Sequence, residues 1–138
     1  MVMEKPIVTT VDRTRLQEMV RALGSVGDPF RSHLRELTDR LERAELVSPA
    51  GVGPDVVTMN SCVRARDVDG RRPETFTLVY HGESGMFDSR LSVLTPMGVA
   101  ALGARVGEVI ECPMRRGIRR LRIEEVLYQP EAAGDFEL

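Results

Sequence analysis

The sequence contains few of the residues on which common catalytic and metal sites depend. Its 138 residues include two cysteines, two histidines and no tryptophan. Two cysteines cannot form a structural zinc site by themselves, and Cys62 and Cys112 are too far apart in the sequence to form a Cys-x-x-Cys motif. Motifs typical of phosphate-binding loops, dinucleotide-binding folds and serine hydrolases are also missing. The sequence therefore predicts a protein with no catalytic residues, cofactor, metal or small-molecule substrate.

Long apolar runs and an excess of one charge are missing as well. No uncharged run approaches the roughly 18–20 residues that cross a bilayer, and no export signal is visible, so we expect a cytoplasmic protein that does not enter a membrane. The chain has 19 basic residues, all arginine except Lys5, against 21 acidic ones. Proteins that bind a nucleic-acid duplex directly usually carry a positive excess. We therefore expect any contact with nucleic acid to be indirect.

Residues 1–48 form the first predicted region: residues 1–8 have an extended pattern, and from Thr9 the apolar residues follow the period of helices. Two stretches place apolar side chains on one helical face: Leu16, Met19, Val20 and Leu23, then Phe30, Leu34, Leu37, Leu41 and Ala44. The first predicts a helix of about 12 residues that ends at Gly24, and the second has heptad spacing. Charge pairs such as Glu36–Arg40 predict a solvated face. We predict a short antiparallel coiled-coil hairpin with Ser25 and Asp28 at its tip.

Residues 49–54 interrupt the helical pattern with two prolines and two glycines and predict a linker. Beyond it, residues 55–138 have the texture of a mostly antiparallel sheet. The predicted strands are 56–59, 62–66, 75–80, 91–94, 108–112 and 120–124. Pro96 begins a short helix that closes at Gly103. The predicted fold class is therefore α+β, with a helical hairpin followed by a sheet domain.

Five segments of this sheet region carry a family resemblance: residues 55–61, 78–80, 91–93, 105–107 and 128–135. They resemble the regulators of nucleoside diphosphate kinase (the Rnk group) within the GreA/GreB family of transcription elongation factors. The resemblance spans about residues 54–138, and over residues 1–50 it is one of architecture. It implies an FKBP-like sheet domain, and it implies binding to RNA polymerase near the secondary channel, in competition with Gre factors.

The tip of the hairpin separates two functions that the resemblance allows. In Gre factors, acidic residues at the tip hold a magnesium ion that drives cleavage of backtracked RNA. Here Asp28 is the one acid near the turn, and it is well placed to cap the helix that follows. The short hairpin also falls below Gre length. We therefore predict a non-enzymatic regulator, with a Gre-type cleavage factor as the alternative.

A second alternative, an FKBP-type peptidyl-prolyl isomerase, follows from the implied fold alone. That activity needs an aromatic-lined pocket, and the chain has four phenylalanines and two tyrosines. The sequence therefore gives this alternative little support.

The resemblance assigns polymerase binding to the segment where the fourth predicted strand leads into the short helix. Its residues are Ser92, Leu94, Thr95, Pro96 and Met97, and they match the Ser-x-x-Ser-Pro loop with which Gre factors dock on the polymerase rim. Thr95 replaces the second serine and keeps its hydroxyl group. Leu94 stands where a polar or acidic residue is common, so we expect a more apolar contact.

Arginines are frequent in the sheet region: Arg64, Arg66, Arg71, Arg72, Arg115, Arg116, Arg119, Arg120 and Arg122. Acidic residues lie among them, and on paired strands such neighbours form cross-strand charge pairs on a solvated face. A polymerase-facing patch, or weak contact with nearby nucleic acid, is the other interpretation. The sequence leaves both open.

Overall fold

The computed structural model describes residues 5–24, 31–70, 72–82 and 89–136, and it has the predicted α+β class. The elements are β1 (Ile7–Thr9), α1 (Thr10–Gly24), α2 (Arg31–Arg43), β2 (Glu45–Val47), a 3₁₀ turn (Pro49–Gly51), β3 (Cys62–Asp67), β4 (Pro73–Val79), β5 (Arg90–Ser92), α3 (Pro96–Ala101), β6 (Val109–Pro113), β7 (Ile118–Tyr128) and α4 (Pro130–Ala133). The described helices are short, and none has the length and apolar character needed to cross a membrane.

The helical region begins and ends at a two-stranded parallel sheet. β1 leads directly into α1, α2 leads into β2, and β1 pairs with β2 along their whole length. Thr9 caps α1, since its hydroxyl oxygen accepts a hydrogen bond from the Asp12 backbone amide at 3.0 Å. The sequence predicted the two helices but not this sheet. The predicted tip residues, Ser25 and Asp28, lie outside the described residues.

The main sheet has the strand order β5-β4-β3-β7-β6. Three of its four strand pairings are antiparallel, as predicted, whereas the short edge strand β5 runs parallel to β4. The helix predicted from Pro96 is also present as α3.

The predicted strand at residues 56–59 is wrong. This segment makes one isolated bridge, between Val56 and Arg105, and then turns. The Ser61 amide donates to the Thr58 carbonyl at 3.1 Å, the Ser61 hydroxyl accepts from the Thr58 amide at 2.9 Å, and Asn60 adopts a left-handed conformation. Serine and threonine side chains that bond the local backbone favour turns over strands. The apolar side chains before the turn are buried nonetheless.

One hydrophobic core joins the helices to the sheet. Leu16 of α1 and Leu37 of α2 are fully buried, and they belong to the same cluster as Val63, Leu121 and Ile123 of the sheet. Cys112 is also buried there, and both cysteines are free thiols. The apolar face of the hairpin therefore holds it against the sheet.

Candidate functional site

The predicted docking loop, Ser92–Met97, is fixed by hydrogen bonds of its own. The Ser92 carbonyl accepts from the Thr95 amide at 3.2 Å and from the Thr95 hydroxyl at 2.8 Å. The Ser92 hydroxyl accepts from the Leu94 amide at 3.1 Å. The Ser92 and Thr95 hydroxyl groups, which match the two serines of the Gre loop, therefore stabilise this turn.

Thr95 also begins helix α3. Its hydroxyl oxygen accepts from the Gly98 amide at 3.0 Å, with Pro96 at the first helical position, where a missing amide proton costs nothing. Gly98 packs against the loop so closely that a Cβ atom there would overlap the Ser92 carbonyl oxygen. The loop and the first turn of α3 therefore form one rigid unit.

The loop divides its side chains between the core and the surface. Ser92, Thr95, Pro96 and Met97 are half-buried, so part of each reaches solvent. Leu94 is only 4% exposed and belongs to the hydrophobic core. The expected apolar surface contact at Leu94 therefore does not match the structure. The side chain instead packs with the other apolar residues of the core, where burial stabilises it.

Arg40 ties the hairpin to this loop-and-helix unit. Its guanidinium donates from Nε to the Leu102 carbonyl at 2.7 Å and from Nη2 to the Ala100 carbonyl at 3.0 Å. Burial lowers the pKa of Arg40 to about 10, so it stays charged near neutral pH. The predicted solvated Glu36–Arg40 pair is therefore wrong for Arg40. Its position three residues after Leu37, on the apolar face, was the signal in the sequence.

Asp12 is a second buried charged side chain at the hairpin base. It is 4% exposed, and its carboxylate accepts from the Met59 backbone amide at 3.1 Å. Burial raises the pKa of Asp12 to about 6; the nearby Glu131 carboxylate also raises it, and the amide hydrogen bond lowers it. Asp12 lies four residues before Leu16, on the apolar face of α1, which sequence reasoning did not use.

The two longest segments of the family resemblance, residues 55–61 and 128–135, contact each other. The buried Thr58 hydroxyl bonds to the Ser61 hydroxyl at 2.8 Å and donates to Glu131 at 2.7 Å. The Gln129 side chain donates to the Gly53 and Val56 carbonyls, both at 2.8 Å. These segments therefore fasten the C-terminal region to the turn that Asp12 contacts.

Among the described residues, four of the nine arginines named above, Arg64, Arg66, Arg119 and Arg120, form the cross-strand pairs that the sequence suggested. Arg66 bonds Glu124 at 2.8 Å and Arg64 bonds Glu125 at 2.7 Å. Arg119 bonds Asp67 at 2.9 Å and also contacts Glu74. The Arg66 hydrogen bond lowers the pKa of Glu124, and the Arg119 hydrogen bond lowers that of Asp67. These arginines are therefore partly occupied by acids on neighbouring strands.

A shallow concavity of about 680 Å³ lies at the far end of the sheet, between the β3–β4 turn and the β6–β7 hairpin. Its lining includes Val68, Asp69, Met114, Arg115, Arg116 and Ile118. Within the described ranges, no group of three or more histidine, cysteine, aspartate or glutamate residues is placed to hold a metal ion.

Comparison with known proteins places these features in a family. Residues 52–128 match the model of the C-terminal region of the transcription elongation factors GreA and GreB. The regulator of nucleoside diphosphate kinase from Escherichia coli K12 is 36% identical over 133 residues, which cover 96% of each chain. GreA from Thermotoga neapolitana is 30% identical over 103 residues, covering 75% of this chain and 63% of that protein.

A solved structure supports the same assignment. The GreA/GreB elongation factor from Nitrosomonas europaea superimposes with a TM-score of 0.74 at 35% identity, covering 91% of this chain and all of that one. The similarity therefore includes the hairpin as well as the sheet. The chain belongs to the GreA/GreB family of transcription elongation factors.

Proposed function

We propose that this protein is a non-enzymatic regulator of transcription elongation that binds RNA polymerase near the secondary channel and competes there with Gre factors. The observation that carries the proposal is the similarity to a regulator of nucleoside diphosphate kinase over hairpin and sheet together. Action in the cytoplasm and an influence on nucleoside diphosphate kinase levels belong to the proposal. The proposal also describes the sheet as FKBP-like and the hairpin as a coiled coil. It divides the chain into a hairpin (residues 1–48), a linker (49–54) and a sheet domain (55–138).

The Ser92–Met97 loop is the proposed docking site on the polymerase rim. The partly exposed side chains of Thr95, Pro96 and Met97 make the contact, and buried Leu94 supports them from behind. A loop that is already fixed loses little conformational freedom when it binds. The hydrogen bonds at Ser92 and Thr95 therefore favour docking.

The hairpin is shorter than that of a Gre factor, and this supports binding to RNA polymerase without cleavage of RNA. The 15 residues of α1 span roughly 22 Å at 1.5 Å per residue. Retaining a second metal ion for phosphoryl chemistry takes carboxylates beside the reacting group. The proposed role is therefore to occupy the site and exclude a Gre factor.

The experiment is a competition on purified core RNA polymerase with a labelled Gre factor. The wild-type protein displaces the Gre factor and inhibits Gre-dependent cleavage in backtracked complexes, while adding no magnesium-dependent cleavage itself. Met97→Glu weakens displacement about tenfold, because it places a charge in the apolar contact. The matched control is Val106→Glu, another partly exposed apolar residue outside the loop, which leaves displacement unchanged.

Two outcomes contradict the proposal in different ways. Failure of the wild-type protein to displace the Gre factor removes polymerase binding. Strong cleavage by the protein alone establishes the Gre-type alternative instead. Acceleration of prolyl-peptide isomerisation at a rate typical of enzymes would support the isomerase alternative, which no observed contact favours.

A further inference from the structure

We propose that the sheet end opposite the docking loop is a second contact with RNA polymerase, one that receives an acidic protein surface bearing apolar side chains. The inference rests on the function proposed above. The surface, called here the arginine end, consists of Val68, Asp69, Met114, Arg115, Arg116 and Ile118.

The β6–β7 hairpin presents the two arginines of this surface. The Met114 amide donates to the Gly117 carbonyl at 3.0 Å, and Gly117 adopts a φ of +85°, which favours glycine. Arg115 and Arg116 occupy the two central positions of the turn and are exposed. A short hydrogen-bonded turn holds both cations at a defined place on the sheet.

The charges at the arginine end leave a local positive excess. Arg119 and Arg120 of the same lining are occupied by Asp67 and Glu111. Within the described part of the chain, Arg115 and Arg116 have no ion-pair partner, and Asp69 is the one acid of the lining without a pair. The surface is therefore complementary to acidic groups, although the chain carries a net charge of −2.

Apolar side chains surround the two arginines. Met114 and Ile118 are each 54% exposed, and Val68 is 43% exposed. Arginine and methionine are enriched in the cores of protein interfaces, where apolar burial supplies affinity and charge supplies orientation. The combination fits a partner surface that offers carboxylates and apolar groups together.

The same surface is poorly suited to nucleic acid. Single strands bind through aromatic side chains on which bases stack, and none of the lining residues is aromatic. The observations therefore favour a protein partner.

Position makes this a contact distinct from the docking loop. β4 begins beside the β3–β4 turn and ends where Val79 pairs with Ser92, so the strand separates the two sites. Its seven residues extend about 20 Å at roughly 3.3 Å per residue. A protein seated on the polymerase through the loop therefore offers the arginine end to a different part of the enzyme.

The test measures binding to core RNA polymerase for charge variants of the hairpin. Arg116→Glu weakens binding about tenfold at low ionic strength, and the effect shrinks when salt shortens the screening length below about 8 Å. Asp69→Lys strengthens binding. The matched control is Arg122→Glu, an exposed arginine on β7 outside the concavity, which changes binding less than about twofold. Met114→Ser combined with Ile118→Ser weakens binding at every salt concentration.

Three results overturn the inference. If Arg116→Glu and Arg122→Glu bind alike while Met97→Glu fails, the loop docks and the arginine end does not. If the isolated protein binds a single-stranded RNA or duplex DNA oligonucleotide, and Arg116→Glu abolishes that binding, the surface receives nucleic acid. If the wild-type protein does not bind polymerase, the proposed function fails together with this contact. Unchanged melting temperatures confirm that each variant is folded.

Discussion

The two ends of the five-stranded sheet differ in whether their polar side chains are buried or exposed. At one end, β3 begins beside the end of β7, and the Thr58–Ser61 turn, the docking loop and the Gln129–Glu131 segment come together. There Thr58 and Gln129 are buried and hydrogen-bonded to residues distant in the sequence, and the buried Ser61 hydroxyl bonds Thr58 within the turn. At the arginine end, Arg115 and Arg116 are exposed on a short turn.

This contrast indicates that one end of the sheet stabilises the fold, whereas the arginine end is available to bind a partner. A buried polar group costs free energy unless its hydrogen bonds are made, so the first end has one favoured arrangement. Exposed charges contribute little to folding and remain available for a partner. Substitutions at the first end should therefore change the free energy of unfolding, whereas those at the arginine end should change binding alone.

The largest expected effect is at Leu94. Leu94→Ala removes a side chain that is 4% exposed and lowers the free energy of unfolding by about 3 kcal/mol. The control, Met114→Ala at a 54% exposed position, changes it by less than about 0.5 kcal/mol. Urea denaturation measures both. Equal midpoints for the two variants would contradict the contrast between the ends.

Asp12 makes the free energy of unfolding depend on pH through the buried end of the sheet. Its pKa is raised from 3.8 to about 6, so the folded protein keeps a proton that the unfolded chain releases between about pH 4 and pH 6. The contribution of this group to stability is therefore full below about pH 4 and is lost as pH rises through 6, by at most about 3 kcal/mol.

Asp12→Asn isolates that contribution. Asparagine keeps an oxygen that can accept from the Met59 amide but does not titrate. The difference in unfolding free energy between wild type and variant should change steadily from pH 4 to pH 7, in favour of the variant at the higher pH. Asp67 and Glu124 titrate alike in both proteins, so they cancel. A constant difference would mean that Asp12 has an ordinary pKa.

Arg40→Met tests the tie between the hairpin and α3. The variant keeps most of the apolar stem but leaves the Ala100 and Leu102 carbonyls without their donor, at a cost of about 2 kcal/mol. Arg35→Met on the exposed face of α2 is the control and should be nearly neutral. Thermal denaturation of the two variants makes the comparison. A larger loss for Arg35→Met would show that the tie is unimportant.

The smallest effect concerns the cap of α3. Thr95→Ala removes the oxygen that accepts from the Gly98 amide and should cost about 1 kcal/mol. Thr95→Ser keeps that oxygen and should restore nearly all of the lost stability, as seen in urea midpoints. Equal losses for alanine and serine would assign the role of Thr95 to its methyl group.

Features set by neighbouring residues were predictable from the sequence. The helices around Leu16 and Leu37, the helix that starts at Pro96 and the strands on either side of the Asp67–Gly70 turn all follow local patterns. The start of the helix at Pro96 was also predictable, because Thr95-Pro96 is a strong helix-start signal, although the preceding strand ends at Ser92 rather than at residue 94.

Features set by distant partners were not predictable in this way. β1 becomes a strand by pairing with β2 nearly forty residues away, and the pattern of Ile7–Thr9 alone does not show that partner. Arg40 and Leu94 were interpreted as surface residues, since charge and loop position usually mean exposure. Both are held inward by elements whose placement is decided only by the complete fold.

The contact between Gln129 and the Gly53–Val56 segment has a consequence for how the chain matures during synthesis. The two carbonyls that Gln129 bonds are made more than seventy residues before it. Until Gln129 leaves the ribosome, the Gly53 and Val56 carbonyls, which precede the turn that contacts Asp12, lack this donor. A nascent chain can form its helices early. We therefore expect a nascent chain that ends before residue 129 to lack the contacts of Gln129 and Glu131 at this end of the sheet.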